Sequence, residues 1–105
     1  MKNISPAELR SELASGKKMQ LLDVRENWEF QTARITGSTL IPMEEIQARM
    51  CELDPSSETV VICHHGGRSM RVAMFLELQG FSSVHNLAGG VDAWARSVDP
   101  SMPTY

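Results

Sequence analysis

Thr59–Val60–Val61–Ile62–Cys63–His64–His65–Gly66–Gly67–Arg68–Ser69 is the stretch on which the reading of this chain turns. A β-branched run ends in a cysteine, passes through a short loop holding a glycine pair, and meets Arg-Ser before an apolar helical segment. This predicts a nucleophile at the carboxyl end of a strand, cradled by a loop and facing a helix N-terminus. Backbone N–H groups of such a loop and of the first helical turn converge on one point and favour negative charge there. Chemistry on an anion follows, with the Cys63 sulfur as reacting atom. His64, His65, Gly66, Gly67, Arg68 and Ser69 form the expected substrate-binding loop.

Working outward, Thr59–Cys63 reads as a central strand and Ser69–Gln79 as the helix behind it, ended by Gly80. Toward the N-terminus, Asn3 and Ile4 read extended, and Ser5-Pro6-Ala7-Glu8 carries an N-cap, a first-turn proline and a capping-box glutamate. Met19–Arg25 is a short apolar run without alternation, as in a strand buried on both faces. Asn27–Phe30 reads as a short helix, Ile35–Ser38 as a turn, and Thr39–Ile41 as extended chain ahead of Pro42. Glu44–Leu53 reads as a helix, Val84–Leu87 as a strand, and Asp92–Arg96 as a last helix before an irregular tail. Strands and helices alternate along the chain, which predicts an α/β fold with a parallel sheet covered on both faces. Ligands of such sheets sit beyond the carboxyl ends of the strands, where Cys63 falls.

The 105 residues fit a single domain. A net charge of −3, with no basic stripe interleaved with aromatics, argues against nucleic acid as a partner. Met1-Lys2-Asn3-Ile4-Ser5 lacks the apolar core of a secretory signal, and no apolar run approaches a membrane span. A cytoplasmic protein is therefore expected. The only two cysteines, Cys51 and Cys63, suit reactive or buried thiols in a reducing compartment better than a disulfide scaffold. Cys51 is expected as a small, semi-buried hydrophobe.

Four pieces of the chain resemble single-domain rhodaneses, the sulfurtransferase family. Leu21-Leu22-Asp23-Val24-Arg25 with Glu29-Phe30 is similar to the family's first signature. Arg34–Ser38 through Ile41-Pro42 is similar to its second, although Ala33-Arg34 stands where Gly-His is usual and Thr36 where Pro is usual. Cys63–Ser69 resembles the active-site loop, and Gly80-Phe81 through Gly89-Gly90-Val91-Asp92-Ala93-Trp94 the closing segment. The tail through Pro103-Thr104-Tyr105 is also similar to rhodanese modules fused to enzymes that activate ubiquitin-like sulfur carriers. The resemblance implies a three-layer fold with a mostly parallel sheet of about five strands and helices on both faces.

It also implies a double displacement through a Cys63 persulfide. An anionic donor such as thiosulfate gives up its outer sulfur, and a thiol, a sulfur-carrier protein or, in an assay, cyanide takes it. No cofactor and no metal are implied. Acidifying a thiol gains little on its own, because nucleophilicity falls with pKa at a Brønsted slope of ~0.4–0.5. The larger gain is expected from loop N–H groups and Arg68 holding the donor and stabilising charge on the leaving sulfite. Four residues separate Cys63 from Arg68, one fewer than in phosphatases of this resemblance. The shorter loop favours sulfur transfer over a phosphatase or arsenate reductase. A non-catalytic binding module is the other alternative.

The remaining candidates read as structural. Asp23 and Arg25, at a strand end, are expected to hold loops by charge-assisted hydrogen bonds. His64 or His65 is expected to tune loop polarity, whereas adjacent histidines without a second ligand pair do not read as a metal site. His85 reads as structural, Trp28 and Trp94 as core or rim aromatics, and Met70 and Met74 with Phe75 and Leu76 as helix packing. Gly66 and Gly67 are both expected at positive φ, turning successive N–H groups inward.

Overall fold

A computed structural model describes the whole chain, Met1–Tyr105. Five strands, β1 (Lys2–Ile4), β2 (Gln20–Asp23), β3 (Thr39–Leu40), β4 (Thr59–Ile62) and β5 (Val84–Leu87), form one sheet in the order β1-β5-β4-β2-β3. Every pairing is parallel. Helices α1 (Pro6–Ala14) and α5 (Gly90–Ser97) cover one face. The other is covered by α4 (Gly67–Leu78) and α3 (Ile46–Arg49), and α2 (Asn27–Thr32) links β2 to β3. The α/β, three-layer fold expected from the sequence is the fold observed.

β4 is central and wholly buried, which is why its sequence runs apolar without alternating. Alternate residues still part to opposite faces. Val61 and Cys63 join Leu22, Val24, Val72 and Leu76 in the core beneath α4, while Val60 and Ile62 join Leu9, Leu87, Val91 and Trp94 beneath α1 and α5. Parallel connections leave β2 and β4 toward opposite edges, so a crevice opens at the carboxyl ends of the central strands.

Local sequence rules account for most element boundaries. Ser5 and Glu8 form the capping box of α1, with reciprocal bonds of 3.1 and 2.9 Å. The single helix expected over Glu44–Leu53 is instead 3₁₀ (Met43–Glu45), α (Ile46–Arg49) and 3₁₀ again (Met50–Glu52). No side chain caps any of the three pieces, and Ile46 and Leu53 are buried in the core with Met43 and Met50 packed only partly against it, so the backbone tightens at both ends. α4 begins at Gly67, two residues before the expected start, because the Cys63 loop passes straight into its first turn. No helix is long and apolar enough to cross a membrane.

Candidate active site

Cys63 is the first residue beyond β4, and its backbone is fixed from the α5 side. The Val91 N–H donates to the Cys63 carbonyl at 2.8 Å, and the Asp92 N–H to the His64 carbonyl at 3.1 Å. This contact requires a glycine at position 90. A Cβ there would lie 2.3 Å from the Cys63 oxygen and 2.4 Å from that of His64, and φ is +61°.

The thiol lies at the floor of the site, with Cys63 only 1% exposed. Its sulfur faces donors rather than aliphatic carbon alone. The Gly66 N–H points at Sγ from 2.9 Å, and the Ser69 hydroxyl lies 3.2 Å away. Gly66 achieves this with φ +112°. Gly67 differs from expectation: it carries no positive φ, because it is already the first residue of α4. Ser69 is wholly buried, and its hydroxyl also meets the Gly66 carbonyl and Asn86 Oδ1. The Asn86 amide donates in turn to Asn3 Oδ1 at 3.0 Å.

Arg68 does not project a free charge toward the thiol. Its guanidinium grips the Glu29 carboxylate through two bonds of 2.7 and 2.8 Å. The Arg68 guanidinium is the main reason the Glu29 carboxyl is held at about 2, and the same partner pushes Arg68 up. Arg68, expected from the sequence to help hold the substrate anion, is thus already engaged by a carboxylate of the chain. α2, following the Asp23–Arg25 corner, delivers a buried carboxylate to it.

Asp23 and Arg25 are both fully buried and paired with each other. Arg25 Nε and Nη2 reach the Asp23 carboxylate at 2.9 and 2.7 Å. Nη2 also donates to the Ala33 carbonyl at 2.6 Å, and Nη1 to the Glu29 carbonyl at 3.3 Å and the Tyr105 hydroxyl at 2.7 Å. That hydroxyl donates onward to Glu29 Oε2 at 3.0 Å. The Tyr105 ring stacks on His64 at 4.0 Å and meets Trp28 edge-on at 5.4 Å. Burial pushes the Tyr105 phenol up and the His64 imidazole down, the latter helped by neighbouring His65.

His64, His65 and Asp92 bring one ligand atom each within 4.8 Å of one another. Asp92 already pairs with Arg96 at 2.6 Å, and His64 lies under Tyr105, so an ion there would have to displace both. His85 is remote, bonded to Glu58 at 2.9 Å. Two further expectations are corrected. Cys51 is exposed, because its 3₁₀ turn buries only the neighbouring Leu53. Met70 and Met74 lie on the outer side of α4, whose inner side is filled by Val72, Ala73 and Leu76. Of the two tryptophans expected in the core or at its rim, Trp94 is core and Trp28, 56% exposed, packs edge-on to Tyr105.

Sequence reasoning missed Asn86 and Tyr105 as site residues and named Glu29 only within a motif. The available signal was charge balance: a buried Arg25 and a loop Arg68 demand more acceptors than Asp23 supplies.

A thiol on a strand-end loop, cradled by a backbone amide at the mouth of a parallel α/β sheet, defines the class as a cysteine-loop domain. The rhodanese-like domain family matches residues 5–97, and the chain belongs to it. It is 38% identical over 100 residues to the Bacillus subtilis protein YtwF, which bears a sulfurtransferase name; the match covers 95% of this chain and 96% of that one. It is 40% identical over 112 residues to the Arabidopsis thaliana rhodanese-like/PpiC domain-containing protein 12, covering 100% of this chain but 38% of that one. The human single-domain sulfurtransferase TSTD1 superposes with a TM-score of 0.81 at 27% identity, covering 92% of this chain and 97% of that one. These relatives support a sulfurtransferase-type role.

Proposed function

We propose that residues 1–105 form one domain that moves a sulfane sulfur from an anionic donor such as thiosulfate to a thiophilic acceptor through Cys63. The Cys63 thiolate attacks the outer sulfur of the donor, a new S–S bond forms, and the original S–S bond breaks. Sulfite leaves with the bonding pair, and Cys63 becomes a persulfide. A cyanide ion or a second thiolate then attacks the terminal sulfur and takes it, restoring the Cys63 thiolate.

The observation that carries this reading is the pair of donors at the thiol, Gly66 N–H and Ser69 O–H at 2.9 and 3.2 Å. They favour negative charge on sulfur without a free cation, a role the Glu29 pairing removes from Arg68. His64, His65, Gly67 and Arg68 complete the loop around the donor, with Asp23 and Arg25 supporting it. Two thiols and no disulfide suit a reducing, cytoplasmic setting, and a small thiol or a sulfur-carrier protein suits the second step.

The test is intact mass after incubation with thiosulfate. One added sulfur, removed by cyanide, is expected for the parent and none for Cys63→Ser. Equal labelling of that variant would overturn the assignment. Turnover of an aryl phosphate would point to a phosphatase, and a folded chain that neither labels nor transfers sulfur would point to a binding module.

A further inference from the structure

Cys63 is 1% exposed, so a donor can reach its sulfur only if a covering group moves. Most of the cover is tied down by backbone. The loop runs directly into α4, and the first turn of α5 holds the carbonyls of Cys63 and His64. The tail is different. Its last backbone bond joins the Met102 N–H to the Asp99 carbonyl, and Pro103, Thr104 and Tyr105 make none.

Tyr105 is held by its side chain. The hydroxyl bonds Arg25 and Glu29, and the ring lies flat on His64 with Trp28 at its edge. The one phenol therefore touches both ends of the loop: His64, next to Cys63, directly, and Arg68 through the shared Glu29 carboxylate. Pro103 and Thr104 add side-chain packing beside Val91, Asp92 and Ala95 but no backbone bond, so the segment opens without breaking any helix or strand.

We infer that Tyr105 is the latch of a lid over the Cys63 loop, and that its release from the Arg25–Glu29–His64 slot sets access of the sulfur donor to the thiol. The latch makes Tyr105 an access-determining residue, not a catalytic one. It rests on the reading of Cys63 as the sulfur-accepting group, but its test does not.

The test is alkylation of Cys63 by iodoacetamide under native conditions, followed by intact mass, in a Cys51→Ser background so that one thiol reports. Tyr105→Phe keeps the ring stack and removes both hydroxyl bonds; Tyr105→Ala removes the latch. Weakening closure by one charge-assisted hydrogen bond, about 1.4 kcal/mol, raises the open fraction about tenfold. Alkylation about that much faster is expected for Tyr105→Phe, and faster still for Tyr105→Ala, with kcat/KM for thiosulfate rising in the same order. Alkylation no faster than in the parent would overturn the latch. So would an acceleration no larger than the loss of global stability in urea, which would trace to unfolding. If Tyr105→Ala fails to fold, Tyr105→Phe decides. Faster alkylation in a protein that never forms a persulfide would keep the latch and remove the sulfur-transfer reading.

Discussion

Glu29 and Arg68 meet side by side, two guanidinium nitrogens on two carboxylate oxygens, across the mouth of the Cys63 loop. Glu29 is buried, whereas Arg68 keeps a third of its side chain in solvent. Desolvation falls mostly on the carboxylate, so the pair is worth less than a fully buried one. Glu29→Gln keeps the shape and removes the charge. It is expected to lower unfolding stability by about 1–2 kcal/mol. It also releases the Arg68 charge toward the site, so KM for thiosulfate is expected to fall in the same variant. Urea unfolding and steady-state kinetics check the two halves separately.

Acid stability follows from the same carboxylate. The Arg68 guanidinium holds Glu29 at about 2 against an ordinary 4.5, so the folded state binds fewer protons than the unfolded state between those values. Its contribution is complete above about pH 4.5 and is lost as pH falls toward 2. His64 acts in the same direction. Burial lowers it below its ordinary 6.5, so its contribution is complete above that pH and declines below it. The urea midpoint is therefore expected to fall continuously on acidification from neutrality. In Glu29→Gln the decline below pH 4.5 should flatten while the His64 part remains.

How much of this was legible follows sequence distance. The Cys63 loop is contiguous, so its strand, its glycine turn and its helix could be read from adjacent residues. β4 announced its central place by an unbroken apolar run, and α1 by its capping box. Arg68 and Glu29 are 39 residues apart, and Tyr105 and Glu29 are 76 apart. Such partners are chosen by sheet order, which no local pattern encodes. The Glu29 partner of Arg68 was not legible for that reason. The outward turn of Met70 and Met74 has another: α4 presents more apolar residues than its inner side can bury, so composition alone does not say which ones pack.

Two glycines of the site predict opposite outcomes. At Gly90 a Cβ would overlap the carbonyls of Cys63 and His64, and the backbone sits at φ +61°. Gly90→Ala must push α5 off the loop, and a loss of at least about 2 kcal/mol is expected. At Gly67 a Cβ meets nothing within 4 Å, and the backbone is already helical. Gly67→Ala is expected to gain about 0.5–1 kcal/mol by restricting the unfolded chain. Denaturant unfolding of the two variants checks the contrast. A stable Gly90→Ala would show that the α5–loop contact is looser than described.

Ser69 tests the thiol cradle most directly. Its single hydroxyl proton is contested by Cys63 Sγ, the Gly66 carbonyl and Asn86 Oδ1. Asn86 is oriented by donating to Asn3, so its oxygen faces Ser69. While the sulfur is neutral, Asn86 is the stronger acceptor. As charge grows on sulfur, the proton can swing to Sγ without any heavy atom moving. Ser69→Ala removes that response and leaves Asn86 Oδ1 without its donor. A stability loss of about 1–2 kcal/mol is expected from the orphaned acceptor, and a drop of about tenfold in sulfur-transfer rate from the lost donor. Ser69→Thr, which retains a hydroxyl, should recover rate ahead of stability, since its extra methyl group enters a filled site. Turnover unchanged in Ser69→Ala would mean that the Gly66 amide alone carries the charge on sulfur.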